Sequence, residues 1–247
     1  RYGNDKVLVV LDLDNTLLAM EQDLGSDQWY YWQAALRDDE PCSPETVNDL
    51  LAVQGALLHA SAMRPTHPNA AAQVRRMQNA GLRVIVLTSR GPQYRLATFR
   101  ELRRHGFSFW SSALPPQHGY SEDFMPEGGE RPVRYEDGVF LTAGQNKGVM
   151  LKALLAKTGH PTPTLIIMAD DKDEHLRDLQ TSFSWSGTAV HGWRYTGEDA
   201  VVSSFDGATA TAQWESLWPA LQQVEGVVGP DNFTLPPQGV PEGCGAN

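Results

Sequence analysis

Cysteine is nearly absent from this chain. The two residues, Cys42 and Cys244, lie far apart and lack the paired spacing of a zinc site. They pair only if the protein meets an oxidising compartment, and two free thiols remain an equal alternative. His59, His67, His175 and His191 share no common spacing either, so zinc is not indicated. Long apolar runs are missing too: none approaches the roughly 20 residues that span a bilayer, which argues against a membrane-spanning helix. Basic clusters are limited to the Arg75-Arg76 and Arg103-Arg104 pairs, and the formal net charge is −10. A nucleic-acid backbone would be repelled, and a small anionic substrate would need a local cation. The chain starts at Arg1 without an apolar leader, so any targeting peptide is expected to have been removed; periplasmic, secreted and cytoplasmic locations all stay open. No internal repeat is visible, and oligomeric state is not legible.

Apolar, strand-like runs alternate with helix-period segments, the pattern of an α/β domain built on a Rossmann-like parallel sheet with helices on both faces. The expected strands are Val7–Leu11, Val84–Leu87, Leu165–Met168 and Thr188–Trp193. Their hydrophobicity is continuous, as burial on both faces requires. Pro68 is expected to open a helix carrying Val74 and Met77 that stops at Gly81. Pro92 is expected to open a second, with Leu96, Phe99 and Leu102 on one face and Arg103, Arg104, His105 and Gly106 at its end. Asn146 is a candidate N-cap for a third that runs from Lys147 through Leu151, Leu154 and Leu155 to Gly159.

Two regions interrupt this alternation. Residues 19–66 read as a small helical cap inserted after the first strand, with the aromatic run Trp29-Tyr30-Tyr31-Trp32 and a helix capped by Ser43 ahead of Pro44. The apolar face of that helix is Val47, Leu50, Leu51, Leu57 and Leu58. Packing of the cap is favoured over substrate stacking for the aromatic run, since helical spacing puts Trp29 and Trp32 on one face. Within residues 107–145, Asp137-Gly138 between short β-prone runs predicts a two-residue hairpin, a candidate flap. The α/β core is expected over 1–18 and 67–225, with Trp214, Leu217, Trp218 and Leu221 as a core-facing stripe kinked at Pro219, and 226–247 as a surface-following tail.

Ligands of open parallel sheets sit beyond the carboxyl ends of the strands. There the sequence places Asp12 and Asp14, then Thr88, Ser89 and Arg90, then Asp170 and Asp171, with Lys147 opening the helix before the third strand. A lone lysine at a helix start is normally a solvated charge, but a cation at the positive end of a helix is disfavoured unless an anion is near. Clustered carboxylates repel unless a cation sits among them, and an all-oxygen set of this kind suits Mg²⁺. Thr88 or Ser89 and the Lys147 ammonium would then hold phosphoryl oxygens, an arrangement suited to phosphoryl transfer.

The run DLDNTL from Asp12 to Leu17 resembles the DxDx(T/V) motif of the haloacid dehalogenase superfamily of phosphohydrolases. Thr88, Lys147 and Asp170-Asp171 resemble that superfamily's remaining three motifs in order, over roughly residues 7–195. The general run is also similar to a bacterial branch of the superfamily without an assigned function. The resemblance implies a phosphomonoester hydrolase in which Asp12 is the nucleophile that becomes an aspartyl-phosphate and Asp14 the general acid and base. It implies Mg²⁺ held by Asp12, Asp170, Asp171 and the backbone carbonyl of Asp14, with Asn15 and Thr16 shaping the loop. The partner would be a small phosphorylated substrate or a phosphopeptide, not a nucleic acid or a membrane. The alternative is a receiver-like or catalytically silent phosphate-binding protein of the same fold. Receivers place the acidic pair first and the acceptor later, the reverse of the order here.

Overall fold

The computed structural model describes residues 3, 6–35 and 44–229, with the backbone alone for 44–49. The two cysteines, the Ser43 cap, the Val47 side chain and the tail beyond residue 229 lie outside the described residues. In chain order the elements are β1 (Val7–Leu11), β2 (Leu18–Met20), α1 (Asp27–Ala35), α2 (Pro44–Ala60), β3 (Met63–Pro65), α3 (Ala70–Asn79), β4 (Arg83–Thr88) and α4 (Arg95–Arg104). They continue with β5 (Arg134–Glu136), β6 (Val139–Leu141), α5 (Lys147–Thr158), β7 (Leu165–Asp170), α6 (Asp173–Phe183), β8 (Ala189–Arg194), α7 (Asp199–Ser203) and α8 (Gly207–Val228).

The fold is α/β. Six strands form one sheet in the order β5-β6-β4-β1-β7-β8, parallel throughout except at β5-β6. The four strands expected from the sequence all form, as β1, β4, β7 and β8. β1 lies inside the sheet, with Val9 opposite Val84 on one side and Ile167 on the other. The strand period of two then divides the side chains between faces. Leu8, Val10, Ile85, Leu87, Ile166 and Met168 share a core with Leu151 and Leu154 of α5 and Leu176 and Leu179 of α6. Val9, Val84 and Val86 are equally buried and point the other way, toward the side where α3 meets β4. Only the outer strand β8 is largely exposed.

Local chemistry accounts for the helix ends and for three departures. Asn146 caps α5 by accepting the Val149 N–H, and Gly159 closes it in the left-handed region at φ 64°, which glycine adopts without a Cβ penalty. α3, however, starts at Ala70 with Asn69 as its cap, so Pro68 precedes the helix. Pro92 opens a single 3₁₀ turn, and α4 follows from Arg95 with Ala97, Thr98, Glu101 and Leu102 inward and Leu96 exposed. Apolarity did not mark that face because two of its residues are polar and paired, Thr98 with Arg90 and Glu101 with Arg100. The hairpin forms with both turn residues at positive φ, 44° at Asp137 and 80° at Gly138. It is an edge of the main sheet rather than a flap, because β6 pairs in parallel with β4 and buries Val139, Phe140 and Leu141 completely.

The chain divides into two compact units, Arg1–Ala19 with Arg64–Asp199, and Met20–Met63 with Ala200–Asn247. The first holds the sheet. In the second, Leu24, Trp29, Leu50, Val53, Leu57, Ala210 and Trp214 form a separate core, with Trp32, Phe205, Leu217, Trp218 and Leu221 against it. Trp29 and Trp32 therefore pack, while Tyr31 is exposed. Residues 200–225, expected in the sheet domain, belong instead with the helical insertion, since the Trp214 to Leu221 stripe finds its apolar partner there. Residues 226–228 continue α8 rather than beginning a tail.

Candidate active site

Asp12 directly follows β1, and its N–H donates to Ala169 O at 2.9 Å, so the nucleophile candidate is held in the ladder between β4 and β7. β7 ends on Asp170 and β4 on Thr88, which puts all three at the same end of neighbouring parallel strands. The backbone after β4 is fixed as well: Thr142, Ala143 and Gly144 donate their N–H groups to the carbonyls of Thr88, Arg90 and Ser89 at 3.0, 3.0 and 2.7 Å. Thr88 is fully buried, and its Oγ1 accepts the Arg90 N–H at 3.2 Å, leaving the hydroxyl proton for an acceptor. Ser89 is half-buried.

Lys147 is the first residue of α5 and is 1% exposed. Its Nζ donates to Asp12 Oδ1 at 2.5 Å and to Asp170 Oδ2 at 2.7 Å. Burial opposes the ammonium, but the two carboxylates outweigh it and hold the lysine pKa above its ordinary value. The acids respond unequally. Burial pushes the Asp12 carboxyl up to about 6, against the Lys147 charge and with the Asp170 charge. Burial acts the same way on Asp170, but Lys147 and then His175 overcome it and hold Asp170 below the usual carboxylate range. Asp170 has further donors: its Oδ1 accepts the Lys172 N–H at 2.9 Å and lies 2.9 Å from His175 Nδ1. Of the two acids, Asp170 is the one whose neighbours favour the ionised form.

Asp14 goes elsewhere. Its carboxylate accepts two parallel bonds from Arg90, Nε to Oδ2 at 2.9 Å and Nη2 to Oδ1 at 2.7 Å, while Arg90 Nη1 donates to Thr98 Oγ1 at 2.9 Å. Asn15 follows in the left-handed region at φ 56°, and Thr16 Oγ1 turns back to donate to Asp12 Oδ2 at 3.2 Å. Thr16 thus orients the nucleophile candidate.

Oxygen atoms of Asp12, Asp170 and Asp171 lie within 4.8 Å of one another. With one lysine among three acids the cluster keeps an excess of negative charge, and the all-oxygen donor set fits a hard divalent cation such as Mg²⁺. Asp14 contributes no carboxylate oxygen to that cluster. Sequence reasoning left Arg90 and His175 without roles. The arginine directly follows the strand-end hydroxyl pair, and the histidine sits five residues after Asp170, in the first turn of α6; those spacings were the available signals.

A family model described as a protein of unknown function (DUF2608) matches residues 1–225. No curated protein matches the chain. Among solved structures, a hydrolase from Pseudomonas syringae is 12% identical with a TM-score of 0.41, over 80% of this chain and 98% of that one.

Proposed function

The chain belongs to the DUF2608 family of unknown function, so its chemistry has to be read from its own residues, and we propose that it is a Mg²⁺-dependent phosphomonoester hydrolase acting through Asp12. The observation that carries this reading is the Lys147 ammonium bridging Asp12 and Asp170, with Asp171 in reach of both and Asp14 two residues from the nucleophile. The order of the four motifs, resembling the haloacid dehalogenase superfamily, supports it.

Lys147 holds Asp12 in place, and with Thr16 on the second oxygen the carboxylate has a defined direction of attack. An Asp12 oxygen forms a bond to phosphorus as the bond from phosphorus to the alcohol oxygen breaks, and Asp14 gives that oxygen its carboxyl proton. Water then attacks the phosphorus of the aspartyl-phosphate and passes a proton to the Asp14 carboxylate. Phosphate leaves, and both aspartates return to their starting states. Thr88, with Ser89 beside it, and Lys147 are the groups placed to hold phosphoryl oxygens. Asp12, Asp170 and Asp171 and the Asp14 carbonyl would hold Mg²⁺, which would supply positive charge to offset the acids and the phosphoryl group. The substrate class is a small phosphomonoester or a phosphopeptide.

The test is turnover of a chromogenic aryl phosphomonoester by purified protein, with Mg²⁺ and then with excess chelator. Multiple turnovers that stop on chelation and are absent in Asp12→Asn are expected. A single phosphorylation without release would favour the receiver-like alternative, and no reaction under either condition would favour a silent phosphate-binding protein.

A further inference from the structure

Arg90 does not appear among the reacting groups above, yet it is 8% exposed and bonded at all three guanidinium nitrogens. Two go to Asp14 in the parallel geometry that suits a carboxylate, and the third to Thr98, a fully buried hydroxyl on α4. The main chain of Arg90 is pinned too, its N–H on Thr88 Oγ1 and its carbonyl on the Ala143 N–H at 3.0 Å. Asp14, in contrast, lies in the loop after β1 with its side chain 27% exposed. Left alone, such a carboxylate would sample several rotamers in water. The guanidinium removes that freedom, and because Thr98 anchors it from behind, Asp14 is the member of the pair that is aimed.

We propose that Arg90 is a positioning residue that directs Asp14 toward the leaving-group oxygen, with Thr98 as its anchor. The inference rests on the phosphohydrolase reading, since aim matters only where a proton is handed to a leaving group. While Asp14 is a carboxylate it accepts both Arg90 bonds. The two parallel bonds fix the plane of that carboxylate, and so the direction in which its oxygens face. A displacement of about 1 Å at such a group can cost about 100-fold in rate.

Thr98→Val is the informative variant, because it is nearly isosteric and keeps both charges of the pair; Arg90→Lys is the second. Each is compared with wild type and Asp14→Asn in the Mg²⁺-loaded protein, on 4-nitrophenyl phosphate and on an alkyl phosphate. Asp14→Asn should lower alkyl turnover by about 10²- to 10⁴-fold and aryl turnover far less, because a good leaving group needs no proton. Thr98→Val and Arg90→Lys should lower alkyl kcat by about ten- to a hundredfold with little change in KM, spare the aryl substrate, and have no further effect in the Asp14→Asn background. Equal losses on both substrates, or losses that persist without Asp14, would overturn the positioning role. Wild type without turnover would instead sink the phosphohydrolase reading. Urea unfolding in chelator gives a readout independent of turnover: Asp14→Asn and Arg90→Lys together should shift the unfolding equilibrium by about tenfold less than the product of their separate effects. Purely multiplicative effects would also overturn the proposal.

Discussion

Lys147 is the residue on which this site turns. It is buried between two acids, and an ion pair of that kind is costly to break from one side because the remaining charges stay desolvated. Lys147→Met should therefore destabilise the metal-free protein by about 3–5 kcal/mol, measured by urea unfolding near pH 7. Asp12 carries a second prediction. Its folded pKa, about 6, lies above the 3.8 of an ordinary aspartate, so between these two values the folded protein holds a proton that the unfolded chain has lost. This favours folding below the window and is lost as pH rises through about 6, so the metal-free protein should lose stability across that range. Asp170 has the opposite sign: its lowered pKa adds stability above the unfolded value, lost only as pH falls through the folded one. Asp12→Asn should flatten the loss between pH 4 and 6 in chelator and leave the acid limb intact; an unchanged slope in thermal melts would count against the assignment.

Among the elements, the β5-β6 hairpin shows how a turn residue sets an edge of the sheet. Gly138 has φ 80°, and a Cβ there would meet the Phe109 carbonyl oxygen at 2.7 Å, so both backbone strain and space oppose a side chain. Gly138→Ala should cost about 1 kcal/mol or more in urea unfolding. Asp137→Gly, at φ 44°, should be close to neutral, because there the glycine relieves the left-handed backbone while loosening the unfolded chain. The turn was legible from two adjacent residues. Its place in the sheet was not, because pairing of β6 with β4 is a contact between segments about fifty residues apart. α4 carries a similar lesson: its inward face includes Thr98 and Glu101, whose partners make them tolerable inside, and no periodicity of apolar residues announces that.

At the scale of the whole molecule, charge is the organising quantity. A formal charge of −10 overall and an acidic excess at the strand ends mean that a divalent cation should stabilise the folded state. Binding to the folded state alone raises stability by about 2.7 kcal/mol when free Mg²⁺ is 100 times its dissociation constant. The melting temperature should rise with Mg²⁺ in wild type and rise much less in Asp170→Asn, a difference read by calorimetry. A melting temperature indifferent to millimolar Mg²⁺ would remove the metal from the proposed chemistry. The division into two units belongs to this scale as well. Trp214, Leu217, Trp218 and Leu221 were recognisable as an apolar stripe, but a stripe does not name what it packs against.

The sequence by itself determined the α/β fold, because continuous apolar runs demand strands buried on both faces, and it determined which acids stand at the strand ends, because position after a strand is a matter of counting. It also marked the Asn146 cap and the Asp137-Gly138 turn, whose chemistry is local. Only the tertiary structure decided the pairings. Lys147 reaches across 135 positions to Asp12, and Arg90 across 76 to Asp14. It likewise gave Asp170 the bonds that hold it ionised while Asp12 is pushed up. The physical reason is that burial and Coulomb energy depend on distance in space. Two carboxylates two positions apart in the chain can therefore end with different partners: a lysine for Asp12 and an arginine for Asp14.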